Sequence, residues 1–147
     1  SELIAILGLN INDPKSYREM HHLKIAIMCD ADKDGYHIAS LLVSFFYKFW
    51  PKLIENGCVS IVRSPIMIST TTKDTKWFYT YDEARDFKEN SKGYKHRYIK
   101  GLGSLETDEY SVIVNDPKLD VLSVDNPELF EMMFGKSSEK RKEFMMR

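Results

Sequence analysis

With 147 residues, and 21 Lys and Arg against 22 Asp and Glu, the chain carries a formal charge of −1 and is long enough for one ordinary domain with a core. So even a balance excludes a strong global field, and any polyanion partner must meet a local basic patch or a bound cation. Cys29 and Cys58 sit in apolar segments without CxxC spacing, which suits two buried thiols in a reducing compartment better than a zinc or disulfide site. No signal peptide or long apolar span is present, which implies a soluble cytoplasmic protein with no membrane partner. The chain opens without methionine and in mid-pattern, as a fragment or processed segment would.

Glu2 to Leu9 reads as a short helix ended by Gly8, followed by a loop from Asn10 to Pro14 and a further helical turn over Ser16 to His22. His21 and His22 are adjacent, so a helix would point them about 100° apart, a poor metal pair. Lys24 to Cys29 is an apolar run cut off by Asp30-Ala31-Asp32-Lys33-Asp34-Gly35, the pattern of a buried strand meeting a loop. The clearest helix follows, with Ile38, Leu41, Leu42, Phe45, Phe46, Phe49, Trp50, Leu53 and Ile54 at three- and four-residue steps as its core stripe. Pro51 marks a kink or fresh start, and Asn56-Gly57 ends the helix.

Cys58 to Arg63 is a strand that completes a strand–helix–strand unit and implies a parallel sheet. Ile66 to Thr71 and Lys76 to Tyr81, on either side of a Lys73-Asp74 turn, form a hairpin or added β ribbon. Asp82 to Asn90 is a polar helix with a weak apolar face at Ala84 and Phe87. His96 to Lys100 is a strand feeding Gly101-Leu102-Gly103, and Ser104 or Thr107 caps a helix running through about Val114. Asn115-Asp116-Pro117 closes that helix, Leu119 to Val124 is a short strand, and Pro127 to Phe134 and Glu139 to Met146 are terminal helices. The basic stretch from Lys136 to Lys142 is a solvated helix face.

Two segments can carry chemistry. Asp30, Asp32 and Asp34 alternate directly after a strand, where ligands collect in open α/β sheets. Packed carboxylates repel unless a cation or proton neutralises them, and hard dications prefer oxygen, so the pattern points to a Mg2+ site. A calcium EF-hand loop opens in the same way but needs a Glu at its twelfth position, and counting from Asp30 that position is Leu41. The second segment is Lys100-Gly101-Leu102-Gly103, where glycines allow close backbone approach to a phosphate and Arg97 and Lys100 stand ready to neutralise it. A simple tight turn explains two glycines equally well, and the segment is not a Walker loop.

Taken together and in this order, the two segments resemble the type IIA DNA topoisomerases. Met28 to Ile38 is similar to their Asp-x-Asp-x-Asp-Gly-x-His segment, and Tyr98-Ile99-Lys100-Gly101-Leu102-Gly103 to their Tyr-Lys-Gly-Leu-Gly segment with an inserted isoleucine. Leu53 to Gly57, Glu128 to Gly135 and Arg141 to Phe144 also fit the family, as do Trp77 to Thr80 and Gly103 to Glu106. The likeness covers nearly the whole chain, is greatest to members whose small subunit is separately encoded in T-even phages, and extends to the C-terminal half of gyrase B.

The resemblance implies a Toprim fold: an α/β, Rossmann-like parallel sheet flanked by helices, with an added β ribbon and C-terminal helices. The expected organisation is an N-terminal segment over 1–23, an incomplete Toprim domain over 24–125 and a helical tail over 126–147. It implies that Asp30, Asp32 and Asp34 hold Mg2+ beside the scissile phosphate, with Asp30 and Asp32 as the catalytic carboxylates. Lys100, Gly101, Gly103, Arg97 and His37 would face duplex DNA. The family's Glu-Gly-Asp-Ser segment is missing, so its glutamate would come from a gyrase B-like ATPase subunit and the tyrosine nucleophile from a breakage-reunion subunit. No ATP-binding segment is present, and the chain alone is expected to be inactive. Two rivals are a haloacid-dehalogenase-like phosphotransferase, which leaves the Lys100-Gly101-Leu102-Gly103 segment unexplained, and a noncatalytic structural component.

Overall fold

The computed structural model describes residues 2–134 and Glu139. Apart from Glu139, the expected terminal helix to Met146, the basic run from Lys136 and the motif residues Gly135 and Arg141 to Phe144 lie outside the described residues. In chain order the elements are α1 (Glu2–Leu7), β1 (Ile25–Met28), α2 (Lys33–Phe49), α3 (Pro51–Glu55), β2 (Val59–Val62), β3 (Met67–Thr70), β4 (Thr75–Phe78), α4 (Tyr81–Asn90), β5 (Lys95–Tyr98), α5 (Thr107–Asn115), β6 (Leu119–Val121) and α6 (Pro127–Phe134). Short 3-10 turns lie at Ser16–Glu19 and Leu102–Ser104. The fold is mixed α/β with a parallel-containing sheet, as the strand–helix–strand pattern requires. Among the described residues no helix is long and apolar enough to cross a membrane.

The chain divides into two compact units, one of Ser1–Ile27, Ile38–Ile61 and Asp120–Arg147 and the other of Met28–His37 and Val62–Leu119. The first holds the sheet ordered β1-β2-β6. Its helix α2 buries Ala39, Val43 and Phe46, with Trp50 buried just beyond its end, while Ile38 and Leu41, expected in the core stripe, are 54% and 58% exposed. The buried face is set by small residues as well as large ones, which a count of bulky side chains passes over. Pro51 opens α3 at its first turn, a fresh start rather than a kink, and the left-handed Gly57 (φ 64°) closes it. Trp50 is fully buried, and its indole N–H donates to Asp13 O at 3.2 Å and Ser16 Oγ at 3.0 Å, so the loop before β1 is pinned on the core.

The second unit holds an antiparallel sheet ordered β4-β3-β5, with Ile68 opposite both Trp77 and Arg97, and Met67 opposite both Phe78 and Tyr98. The expected ribbon is therefore three-stranded, because the strand that feeds the glycine loop pairs with β3. Alternation along β3 splits its side chains between two cores. Ile68 packs with Val62, Leu105 and Ile113 on the α5 side, and Met67 with Ile66 and Ala84 on the α4 side. Strand β3 is consequently buried on both faces. The cap of α5 is Glu106, not Ser104 or Thr107: its side chain and that of Glu109 satisfy each other's backbone N–H groups in a reciprocal box.

Candidate metal and nucleic-acid site

All of the candidate site residues lie in the second unit. Strand β1 ends at Met28, and the next carbonyl, of Cys29, accepts the Ser64 hydroxyl at 2.6 Å, which fixes the strand's exit. Asp30 follows, half-buried, and its Oδ1 accepts the N–H of Leu102 at 2.7 Å across 72 residues of sequence. The two segments singled out by motif thus meet through one charge-assisted hydrogen bond.

Asp32 is exposed and its Oδ1 accepts the Gly35 N–H at 2.8 Å, the contact of a helix cap to its third residue. The helix therefore starts at Lys33, five residues before the apolar stripe, and Asp34 stands in its first turn rather than in the loop. That turn is solvent-exposed apart from Gly35, so apolar periodicity carries no trace of it. A carboxylate there favours the positive end of the helix dipole.

Two of the motif glycines are needed for the space a side chain would fill. A Cβ on Gly35 would stand 2.1 Å from the Asp30 carbonyl oxygen. Gly101 has an extended backbone (φ 176°) that any residue adopts, yet a Cβ there would stand 2.9 Å from Asp30 Oδ2. Gly103 differs, since a Cβ at that position meets nothing within 4 Å and the residue is exposed.

The expected DNA-facing cations Lys100, His37 and Arg97 are all exposed. Arg97 also donates from Nη1 to Ser104 O at 2.7 Å, while its Nη2 pairs with Glu109. Its guanidinium ties the glycine loop to α5. The Cys29 thiol is half-buried, not buried, and its pKa is pushed up by desolvation and then by the charges of Asp30 and Asp32. Two carboxylates thus make the strand end locally anionic.

Among the described residues no three His, Cys, Asp or Glu side chains are gathered closely enough to hold a metal ion. Asp30, Asp32 and Asp34 do not form such a trio. Their chemistry still suits a hard dication, because each offers carboxylate oxygens, and Asp30 and Asp32 each engage one oxygen in the hydrogen bonds above. The donor set fits Mg2+ as a partial shell that needs further ligands. Sequence reading missed Tyr110, whose hydroxyl donates to Leu102 O at 2.7 Å, and Glu109. A Glu at both ends of a four-residue box before an apolar run was the available signal for the latter.

No family model matches the chain. It is 40% identical over 130 residues to the DNA topoisomerase small subunit of Enterobacteria phage T4, covering 86% of this chain and 80% of that protein. It is 32% identical to the DNA gyrase B protein of Spiroplasma citri, covering 99% of this chain but 24% of the relative. Against human DNA topoisomerase 2-beta the identity is 34%, over 74% of this chain and 7% of the relative. The chain thus spans a small part of these two larger proteins. Among solved structures, the DNA-binding, cleavage and re-ligation domain of Plasmodium falciparum topoisomerase II superposes with a TM-score of 0.77 at 28% identity, over 97% of this chain and 21% of that one. By its match to most of a phage small subunit and its fold, the chain belongs to the DNA topoisomerase small-subunit family within the type II topoisomerases.

Proposed function

We propose that this chain is the metal-holding component of an ATP-dependent type II DNA topoisomerase that reversibly cleaves duplex DNA. The observation that carries the reading is the hydrogen bond from Leu102 N–H to Asp30, which joins an acidic strand end to a glycine loop flanked by an exposed lysine. Asp30 and Asp32 hold Mg2+, with Asp34 on the adjoining helical turn. Bound Mg2+ supplies neutralisation of charge on the transferring phosphate and the leaving oxygen. Lys100 meets a backbone phosphate, and the open space around Gly103 admits the duplex close to the chain. His37 borders the same anionic turn. Further donors, including the missing glutamate, come from a gyrase B-like ATPase subunit, and the tyrosine nucleophile comes from a breakage-reunion subunit. The complex works in DNA replication in the cytoplasm, that of the host where a phage encodes it.

A structural role has one observation in its favour, since Asp30 and Asp32 each already accept an intrachain hydrogen bond. Asp30→Asn separates the two, because the amide oxygen still accepts the Leu102 N–H while the charge is lost. Reconstituted with both partner subunits, this variant should lose Mg2+-dependent cleavage by on the order of 10²-fold or more with its fold intact. Cleavage at the parental rate would leave the chain a structural piece. The chain alone should not nick plasmid DNA.

A further inference from the structure

We infer that Tyr110 is a positioning residue for Asp30, acting through the Leu102 peptide; the inference rests on the reading that Asp30 holds a metal ion. The Leu102 N–H donates to Asp30 Oδ1 at 2.7 Å, and the Leu102 carbonyl accepts the Tyr110 hydroxyl at 2.7 Å. One residue is held at both of its backbone polar groups, by the carboxylate on one side and by α5 on the other. The far end of the loop is fastened to the same helix. Ser104 O accepts from Arg97 at 2.7 Å, Arg97 pairs with Glu109, and the second oxygen of Glu109 accepts the Glu106 N–H at 2.8 Å.

This brace grows out of packed structure. Ile113 and Leu105 are buried with Ile68 and Val62, and the Tyr110 ring packs against that core. The ring anchors the side chain, and the hydroxyl carries the position of the core to the loop. Hydrogen bonds to ionised groups weaken steeply off line, so a displaced Leu102 N–H moves or releases the Asp30 carboxylate. Residues that orient a metal ligand through a second contact commonly alter metal affinity. Arg97 belongs to the same device through its contacts with Ser104 and Glu109.

The test uses Tyr110→Phe, which keeps the ring and removes the hydroxyl. In the full chain, amide exchange at Leu102 followed by NMR should accelerate about two- to tenfold, the worth of one hydrogen bond, while the amides of β3 keep their rates. In the complex reconstituted with the ATPase and breakage-reunion subunits, Mn2+ binding read by electron paramagnetic resonance should weaken by a similar factor. There kcat for cleavage should fall while KM for DNA stays constant, a split that a general loss of structure does not produce. Asp30→Asn keeps the two readings apart. If it leaves Mn2+ binding unchanged, the metal reading fails. If it abolishes binding while Tyr110→Phe changes neither Leu102 exchange nor Mn2+ affinity, the positioning role fails. Should Tyr110→Phe loosen β3 as well, para-aminophenylalanine at position 110 takes its place as a rescue, since its amine again offers a donor to the Leu102 carbonyl. Leu102 exchange and Mn2+ binding that stay at the Tyr110→Phe values in that variant would overturn the inference.

Discussion

Replacing Gly35 with alanine sets two effects of opposite sign against each other. Alanine is favoured over glycine inside a helix by about 1 kcal/mol, so propensity alone makes Gly35→Ala stabilising. The added methyl, however, would stand 2.1 Å from the Asp30 carbonyl oxygen, 2.9 Å from its carbon and 3.0 Å from its nitrogen. Non-bonded heavy atoms rest at about 3.5 Å, so backbone must retreat by more than about 1 Å. The obstacle is main chain on both sides and no flexible side-chain end can give way. Overpacking of this kind costs about 1–3 kcal/mol. The retreat also draws the Gly35 N–H away from Asp32, and losing such a cap costs about 1 kcal/mol. The steric and capping costs together exceed the propensity gain, leaving the variant less stable by about 1–3 kcal/mol. Urea unfolding followed by far-ultraviolet circular dichroism should show a lower midpoint with an unchanged slope. A variant as stable as the parent, or more so, would refute the close approach of the helix start to Asp30.

The two loop glycines should behave in opposite ways. Gly103→Ala meets open space and should alter stability by less than about 0.5 kcal/mol while weakening duplex binding in the assembled enzyme; Gly101→Ala should instead displace the Asp30 carboxylate and speed amide exchange at Leu102. At Asp32, serine preserves a helix cap and alanine does not, so Asp32→Ala should be about 1 kcal/mol less stable than Asp32→Ser, yet both should lose Mg2+-dependent cleavage. Full cleavage by Asp32→Ser would confine Asp32 to capping. The Asp74 carboxyl is held below its ordinary value of 3.8 chiefly by the Tyr94 hydroxyl, which outweighs the opposing desolvation, with Lys76 adding a smaller lowering effect. The unfolded chain therefore binds more protons there, and the stabilisation is present above about pH 4 and lost as pH falls through the lower folded value. Tyr94→Phe should flatten the acid limb of a stability–pH curve, and an unchanged acid limb would exclude this contact as its source.

Much of this organisation was legible from residues alone, because local rules wrote it. Gly8 and Asn56-Gly57 end helices where a left-handed residue was expected, and Pro51 opens one. Helix α4 ends at Asn90 as expected, but it opens at Tyr81 with Thr80 as its cap, two residues expected in the preceding strand. The acidic strand end stood out because alternating carboxylates repel without a counter-charge, whereas the Lys100-Gly101-Leu102-Gly103 loop gained its weight only beside it, in that order. Local composition determines such features, so proximity in sequence suffices to read them.

The rest was decided by contacts between distant parts of the chain. Pairing of β5 with β3 is a tertiary choice, and it brings Arg97 within reach of Ser104 and Glu109. The burial of Ala39 and Val43 in place of Ile38 and Leu41 follows from which face of α2 meets the core, a matter of rotation that a list of bulky residues leaves open. Above all, the tie between Leu102 and Asp30 spans 72 residues and uses a backbone N–H, a group every residue but proline possesses. Sequence names the residue types available to a site, whereas a main-chain donor acquires its role through its position in the folded molecule.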